Sequence, residues 1–313
     1  MAYVFRQEES IGHNINRILT QEVKTALDTL QQPEPQTGES IHSIRKRIKK
    51  IRALFRLVRR ELKQKDFQRQ NHYYRAIGHQ LAPLRDATVM IKTLDKLRDA
   101  QPAQVSDQVF ARLHQALLKQ QDQAASTFFN DPTQIGLVVT AFEQASQRVA
   151  GFAKLHKGFK AMAPNLKAIY RRARKQLKVA LNEPGIEQLH ELRKDIKTLW
   201  YHTRLLQPIW PGVFKAYEQE MGRLGELLGD DHDFGVLAQA IESDQFLLRT
   251  KPTKEVLLLG LQQQRAGLQA QIYPLANRLL AEKPGEFVRR FERPWKLWRT
   301  EANLKLVDPH QSA

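Results

Sequence analysis

A chain of 313 residues with 42% hydrophobic content can bury one large core or two of ordinary size, and it is too apolar for wholesale disorder. Fifty Lys and Arg oppose 33 Asp and Glu, leaving +17 and a pI near 10.0. That charge opposes compaction and draws polyanions: nucleic acid, inorganic polyphosphate, anionic lipid headgroups or phosphorylated small molecules. With no Cys there is no disulfide, thiolate metal site or cysteine nucleophile, and no leader-like start or spanning apolar run is read, so a soluble cytoplasmic protein is expected.

In chain order, apolar residues at Ile11, Ile15, Ile18, Leu19, Val23, Leu27 and Leu30 predict a helix over Ser10–Leu30. The Pro- and Gly-bearing loop 31–40 follows, and Ser40 is a candidate cap for the next helix. That helix, Ile41–Arg60, carries a continuous apolar stripe (Ile41, Ile44, Ile48, Ile51, Phe55, Val58). A further helical pattern begins near Phe67, is kinked or ended at Pro83, and continues through Leu97. Ser106–Phe129 and Gln134–Leu155 read as two more helices, and residues 151–164 as the boundary between halves. The second half then retraces the first. A basic helix spans Leu166–Leu181, a second lies around Leu189–Leu206, and Phe214–Leu228 leads into Gly229–Leu237. Lys254–Leu280 forms a helix interrupted near Pro274, and a last helix covers Glu286–Thr300. No period-two alternation persists, so the fold is expected to be all-α: one domain of two four- or five-helix bundles, residues 1–158 and 159–313, related by internal duplication.

The duplication is read from two basic helices. On Ile41–Arg60 the face opposite the apolar stripe carries His42, Arg45, Lys46, Lys49, Arg56 and Arg60 within one arc. Like charges three and four residues apart repel by a few tenths of a kcal/mol per pair, and acids that would relieve them stand only at the ends, at Glu39 and Glu61. A displacement of 148 positions lays this pattern on His190, Arg193, Lys194, Lys197 and Arg204, while Ile44, Ile48 and Ile51 meet Leu192, Ile196 and Leu199. One charge run alone is ordinarily a solvated face. The same His-x-x-Arg-Lys-x-x-Lys pattern twice in one chain points to a duplicated site. A displacement of 147 pairs Gly78 with Gly225, Asp86 with Asp233 and Val89 with Val236. A third, at 154, pairs Arg17, Lys24 and Leu27 with Arg171, Lys178 and Leu181.

Catalytic readings find little support. His190–Glu191 begins like a zincin motif, but Lys194 stands where the second His belongs. The run Asp230–Asp231–His232–Asp233 suggests a metal-dependent phosphohydrolase, yet the repeat sets Arg85 opposite His232, and arginine is no metal ligand. Asp86 and Asp233 are therefore read as structural, capping a helix or holding a basic side chain. Phosphate-binding glycine loops and nucleophile elbows are absent. Arg171, Arg174, Lys175 and Lys178 form another one-sided stripe, expected to face the same groove.

His42-x-x-Arg45-Lys46-x-x-Lys49, its partner His190-x-x-Arg193-Lys194-x-x-Lys197 and the downstream Leu-Arg85-Asp86-x-x-Val89-Met90 element resemble the CHAD family, the conserved histidine α-helical domain. The second half departs from the family's Arg-Asp pattern with His232–Asp233. The resemblance implies two four-helix bundles about a pseudo-two-fold, a basic central groove or pore, inorganic polyphosphate as ligand and association with polyphosphate granules. It covers nearly the whole chain and brings no hydrolytic domain. Polyphosphate has charge but no bases, so it calls for clustered Lys and Arg without an aromatic platform. Single-strand nucleic-acid grooves interleave aromatics, and here the basic faces hold only Trp200 and Tyr201. The expected function is non-catalytic polyphosphate binding without cofactor or metal, through His42, Arg45, Lys46, Lys49, Arg56, His190, Arg193, Lys194, Lys197 and Arg204, with Arg17, Arg171, Arg174, Lys175 and Lys178 extending the groove. Sequence-independent nucleic-acid binding is the alternative, and a phosphohydrolase acting on polyphosphate or nucleotides a third.

Overall fold

Eleven α-helices build the described residues of the computed structural model: 3–32, 38–100, 105–147, 155, 158–246 and 251–304. They are α1 (Ile11–Leu30), α2 (Gly38–Leu57), α3 (Gln64–Gln80), α4 (Ala82–Ala100), α5 (Asp107–Phe129), α6 (Pro132–Gln147), α7 (Ala163–Asn182), α8 (Ile186–Leu206), α9 (Pro211–Glu242), α10 (Lys251–Leu279) and α11 (Pro284–Leu304). No strand occurs among the described residues, so the all-α reading stands. No described helix is long and apolar enough to cross a membrane.

The helix ends follow local chemistry. The Ser10 side chain accepts from the His13 amide, an N-cap for α1. Asp131 caps α6 by accepting from the Thr133 amide at 2.9 Å. Ser40 lies inside the first turn of α2, which already starts at Gly38, so it is not the helix-starting residue the sequence suggested. Pro83 separates α3 from α4 as expected, whereas α9 runs for 32 residues through the matching stretch, taking the Gly229–Leu237 run into a helix. Pro274 leaves α10 continuous. The boundary segment proposed at 151–164 falls partly outside the described residues, and its end, from Ala163, is already α7.

The two halves do not keep separate interiors. One core draws on α1, α2, α6, α7, α8 and α11 together, with Ile15, Ile44, Ile48, Ile51, Leu192, Ile196, Leu199 and Phe287 at 2% exposure or less. A second cluster joins the far ends of the α4–α5 and α9–α10 hairpins through Leu97, Phe110, Leu117, Leu237 and Leu261. Apolar side chains buried from both halves make the chain one cooperative unit. The N-terminal segment closes the first core: Tyr3 Oη donates to the Lys50 carbonyl, Phe5 N donates to the Leu205 carbonyl, and the Phe5 ring meets Trp295.

Candidate polyanion-binding site

The apolar stripes of α2 and α8 face the first core, which turns their basic faces toward α4 and α9 and toward each other. Lys49 of α2 lies among Arg45, Arg85, Arg193 and Lys197, and Lys197 of α8 lies near Arg193 and Lys46. Cations from both halves therefore share one seam. Burial and these like charges push both Lys49 and Lys197 down to about 8, from an ordinary value near 10.5. Lys49 remains wettable, as a residue lining an open seam should be, although protein surrounds it.

α9 sets the cations of α8 by means of three glycines. A Cβ at Gly222 would meet Trp200 Nε1 at 3.1 Å, one at Gly225 would meet Lys197 Cδ at 2.7 Å, and one at Gly229 would meet an Arg193 guanidinium nitrogen at 3.0 Å. The glycines form a rail on which the three α8 side chains lie down; a Cβ at Gly225 would displace the Lys197 stem, and one at Gly222 or Gly229 would press on Trp200 or the Arg193 guanidinium. Lys197 Nζ also sits 3.9 Å from the Trp200 ring centroid. In the first half Arg45 is held differently, donating to the Gly78 carbonyl at the end of α3.

The paired aspartates neighbour the arginines. Asp86 lies beside Arg45, Arg85 and Lys49, and Asp233 beside Arg193, Lys96 and Arg85. Burial raises both carboxyls, against the pull of those cations. The acidic run on α9 is splayed by its helix. Asp230 pairs with Lys96 at 2.7 Å, buried Asp231 accepts from Arg265 and Gln269, His232 turns to His190, and Asp233 turns to Arg193. Among the described residues no three metal-binding side chains stand together.

The histidines are neutral by environment. Burial, then Arg85, Lys49, Lys46 and Lys92, lowers His42; burial, then Lys194 and Arg193, lowers His190. The His190 and His232 rings lie 4.2 Å apart, and burial with its charged neighbours takes His232 to about 4. His190 Nδ1, His232 Nδ1 and Arg193 Nε are buried and hydrogen-bond to no protein atom, an uncommon state for polar groups.

Other predicted residues lie elsewhere. Lys46 and Lys194 are exposed on the seam's rim, with Lys194 hydrogen-bonded to Glu191. Arg56 donates to Thr198 Oγ1 at 3.1 Å and neighbours the Arg172–Asp195 pair, while Arg204 lies near Trp200, Tyr201 and Lys50. Both flank the α2–α8 crossing rather than entering the cluster around Lys49. Arg17 is not a groove residue: it pairs with Glu9 at 2.8 Å and donates to Asn14 and the Val4 carbonyl, locking the N-terminal segment to α1.

The α7 stripe does not reach the seam either. α7 meets α8 through Arg172 and the buried Asp195. Asp195 is two residues from both Arg193 and Lys197, hence about 160° around the helix from each. α7 thus lies behind α8, and Arg171, Arg174, Lys175 and Lys178 are separated from the seam by it. Arg174 neighbours Tyr170, as do Arg290 and Glu282.

Sequence reasoning passed over Arg85, Lys92 and His232 as site residues, and the glycine rail. Arg85 and His232 had been aligned as repeat counterparts and set aside as a failed metal ligand. A basic group at that position in both halves was the available signal for a polyanion site.

Residues 21–242 match the model of the CHAD domain. Two solved structures share the fold. PptA from Streptomyces chartreusis is 15% identical, with a TM-score of 0.61, over 86% of this chain and 100% of that one. The CHAD domain from the plant Ricinus communis is also 15% identical, with a TM-score of 0.57, over 90% of this chain and 95% of that one. No curated protein matches. The family match covers most of the chain and contains every helix that builds the seam, so the chain belongs to the CHAD domain family.

Proposed function

We propose that this chain binds inorganic polyphosphate, without catalysis, in the basic seam between α2, α4, α8 and α9. The observation that carries the reading is the facing of cations across the halves: Lys49 and Lys197 lie near one another and near Arg193, and burial with these like charges disfavours protonation of both although Glu226 and Glu218 neighbour Lys197. In the free protein that arrangement is unfavourable, and a linear polyanion relieves it by placing charge among all of them at once. The histidines, whose protonation is disfavoured, serve as N–H hydrogen-bond donors to phosphoryl oxygens. Trp200 is occupied by Lys197 and by the α9 backbone, which leaves no free aromatic platform for a base.

The recurrence of a basic helix followed by an Arg- or His-Asp element, with each Asp beside the Arg of its own half, supports an origin by internal duplication. Residence in the cytoplasm, in association with polyphosphate granules, follows from this ligand.

The test is a salt titration of binding to long-chain polyphosphate, with duplex DNA and RNA in parallel. Polyphosphate binding that survives salt at which both nucleic acids are released supports a shaped site. Equal and equally salt-sensitive binding of all three reduces the seam to a generic cationic surface. Orthophosphate release on incubation with polyphosphate and a divalent metal would overturn the non-catalytic part.

A further inference from the structure

We infer that the outward face of α7 is a second polyanion-contact surface, which takes a distal segment of the same polyphosphate chain whose first segment fills the seam. The inference rests on the polyphosphate reading of the seam but concerns different residues. α7 carries six cations and no Asp or Glu anywhere in its 20 residues. One of the six, Arg172, is neutralised by buried Asp195. Arg171, Arg174, Lys175 and Lys178 recur at three- and four-residue spacing on one side, so they repel one another with no acid between them.

Some cations on other helices stand beside an acid. Lys296 pairs with Glu292, Arg69 with Asp66 and Lys254 with Asp244. On α7 the four stripe cations have no acid on their own helix. Tyr170 links this stripe to α11, since Arg174 and Arg290 both neighbour it.

Because α8 stands between stripe and seam, a short oligophosphate occupies one or the other, and a long chain passes around α8 and occupies both. Tethering makes the second contact intramolecular, so its contribution grows with chain length until both surfaces are spanned. A phosphate backbone suits the stripe better than a folded acidic protein does, because the stripe offers four clustered cations with Leu181 as its single exposed apolar neighbour on that side.

The test measures affinity for size-fractionated polyphosphates, from tripolyphosphate to long-chain material, at fixed ionic strength. It compares the intact chain with R171E/K175E/K178E and with the milder R171Q/K175Q/K178Q. A matched reversal at the start of α3 and on α5, K63E/K65E/K119E, controls for net charge. The expected result is equal affinity of intact chain and α7 variants for the shortest chains that bind, with a gap opening to about tenfold or more on the longest. The control should show no such gap. Equal affinity at every length would overturn the inference and leave the seam reading intact. So would a loss independent of length, a loss matched by the control, or a loss confined to duplex DNA or RNA. If the intact chain binds no polyphosphate of any length, both readings fall together.

Discussion

Raising the pH from 7 to 9 should weaken polyphosphate binding far more than a surface of ordinary lysines would allow. Lys49 and Lys197 titrate near 8 in the free protein, because burial and their cationic neighbours disfavour the charged form. A bound polyanion reverses that balance and holds both protonated. At pH 7 each free lysine is about 90% charged and at pH 9 only about 10%, so each can reduce the binding constant by about tenfold across the interval. The two are coupled, since loss of one proton eases retention of the other, and solvent access of Lys49 softens its share. The combined loss should therefore fall between about tenfold and a hundredfold. A lysine at its reference value near 10.4 is still about 96% charged at pH 9 and contributes almost nothing.

Calorimetry in buffers of differing ionisation enthalpy reads the same linkage directly, as uptake of about one to two protons on binding near pH 9. Inner phosphates of a long chain carry no proton that titrates in this range, so the uptake belongs to the protein. Lys49→Arg should flatten part of the profile while preserving charge. The free protein should behave in the opposite sense. A base whose folded-state pKa is depressed disfavours folding while it is charged, so stability should rise as pH passes upward through 8. Affinity unchanged between pH 7 and 9, with no proton uptake, would refute the facing-lysine account.

Acid stability should depend on His202, which is fully buried against the Ala53 carbonyl and lowered to about 4 by burial. A depressed base favours the fold above 6.5 and loses that contribution as pH falls toward 4. The difference amounts to about 3 kcal/mol, and His202→Gln should shift the acid limb of a melting-temperature profile. The double variant K46E/K194E alters two exposed rim positions; it should leave helical content intact by circular dichroism and abolish measurable polyphosphate binding at physiological salt. Gly225→Ala places a Cβ 2.7 Å from Lys197 Cδ and should weaken binding several-fold with modest change in melting temperature. Gly267→Ala, on α10 with no atom within 4 Å, should leave binding alone and stabilise by up to about 1 kcal/mol. Equal binding by both glycine variants would remove the rail from the account.

The helices and the two basic faces were legible because periodicity survives in a linear string: the spacing of Ile44, Ile48 and Ile51 fixes which side of α2 carries Lys46 and Lys49. What the string conceals is the direction in which a face looks once helices pack. Arg17 and Arg171 looked alike in sequence, yet Glu9 captures the first, while the second lies on a helix that α8 screens from the seam. Asp195, at the position that a displacement of 148 lays on Arg47, accepts from Arg172 and so joins α8 to α7. Its counterpart also serves docking with reversed sign, for Arg47 and Lys50 of α2 pair with buried Glu22 of α1. Each half thus joins two neighbouring helices by an acid–base pair, with the acid on α8 in one half and on α1 in the other. The merging of interiors was equally hidden, because a stripe of apolar residues does not say which half supplies its partners.

Holding like charges together demands structure that the charges themselves do not provide. Lys49, Lys197 and Arg193 repel, and a flexible surface would spread them into solvent. Here the Arg193 guanidinium and the Lys197 stem lie against Gly229 and Gly225, and Arg45 is tied to the Gly78 carbonyl. Asp86 and Asp233 neighbour the arginines without matching the cations in number. The apolar stripes of α2 and α8 supply the stabilisation that offsets the repulsion, since Ile44, Ile51, Leu192 and Leu199 are all fully buried on the opposite side of the same helices. A preorganised seam then binds its anion without first ordering its side chains, which favours affinity. Loosening the rail should therefore weaken binding even though every charge remains, a result that a purely electrostatic surface would not produce.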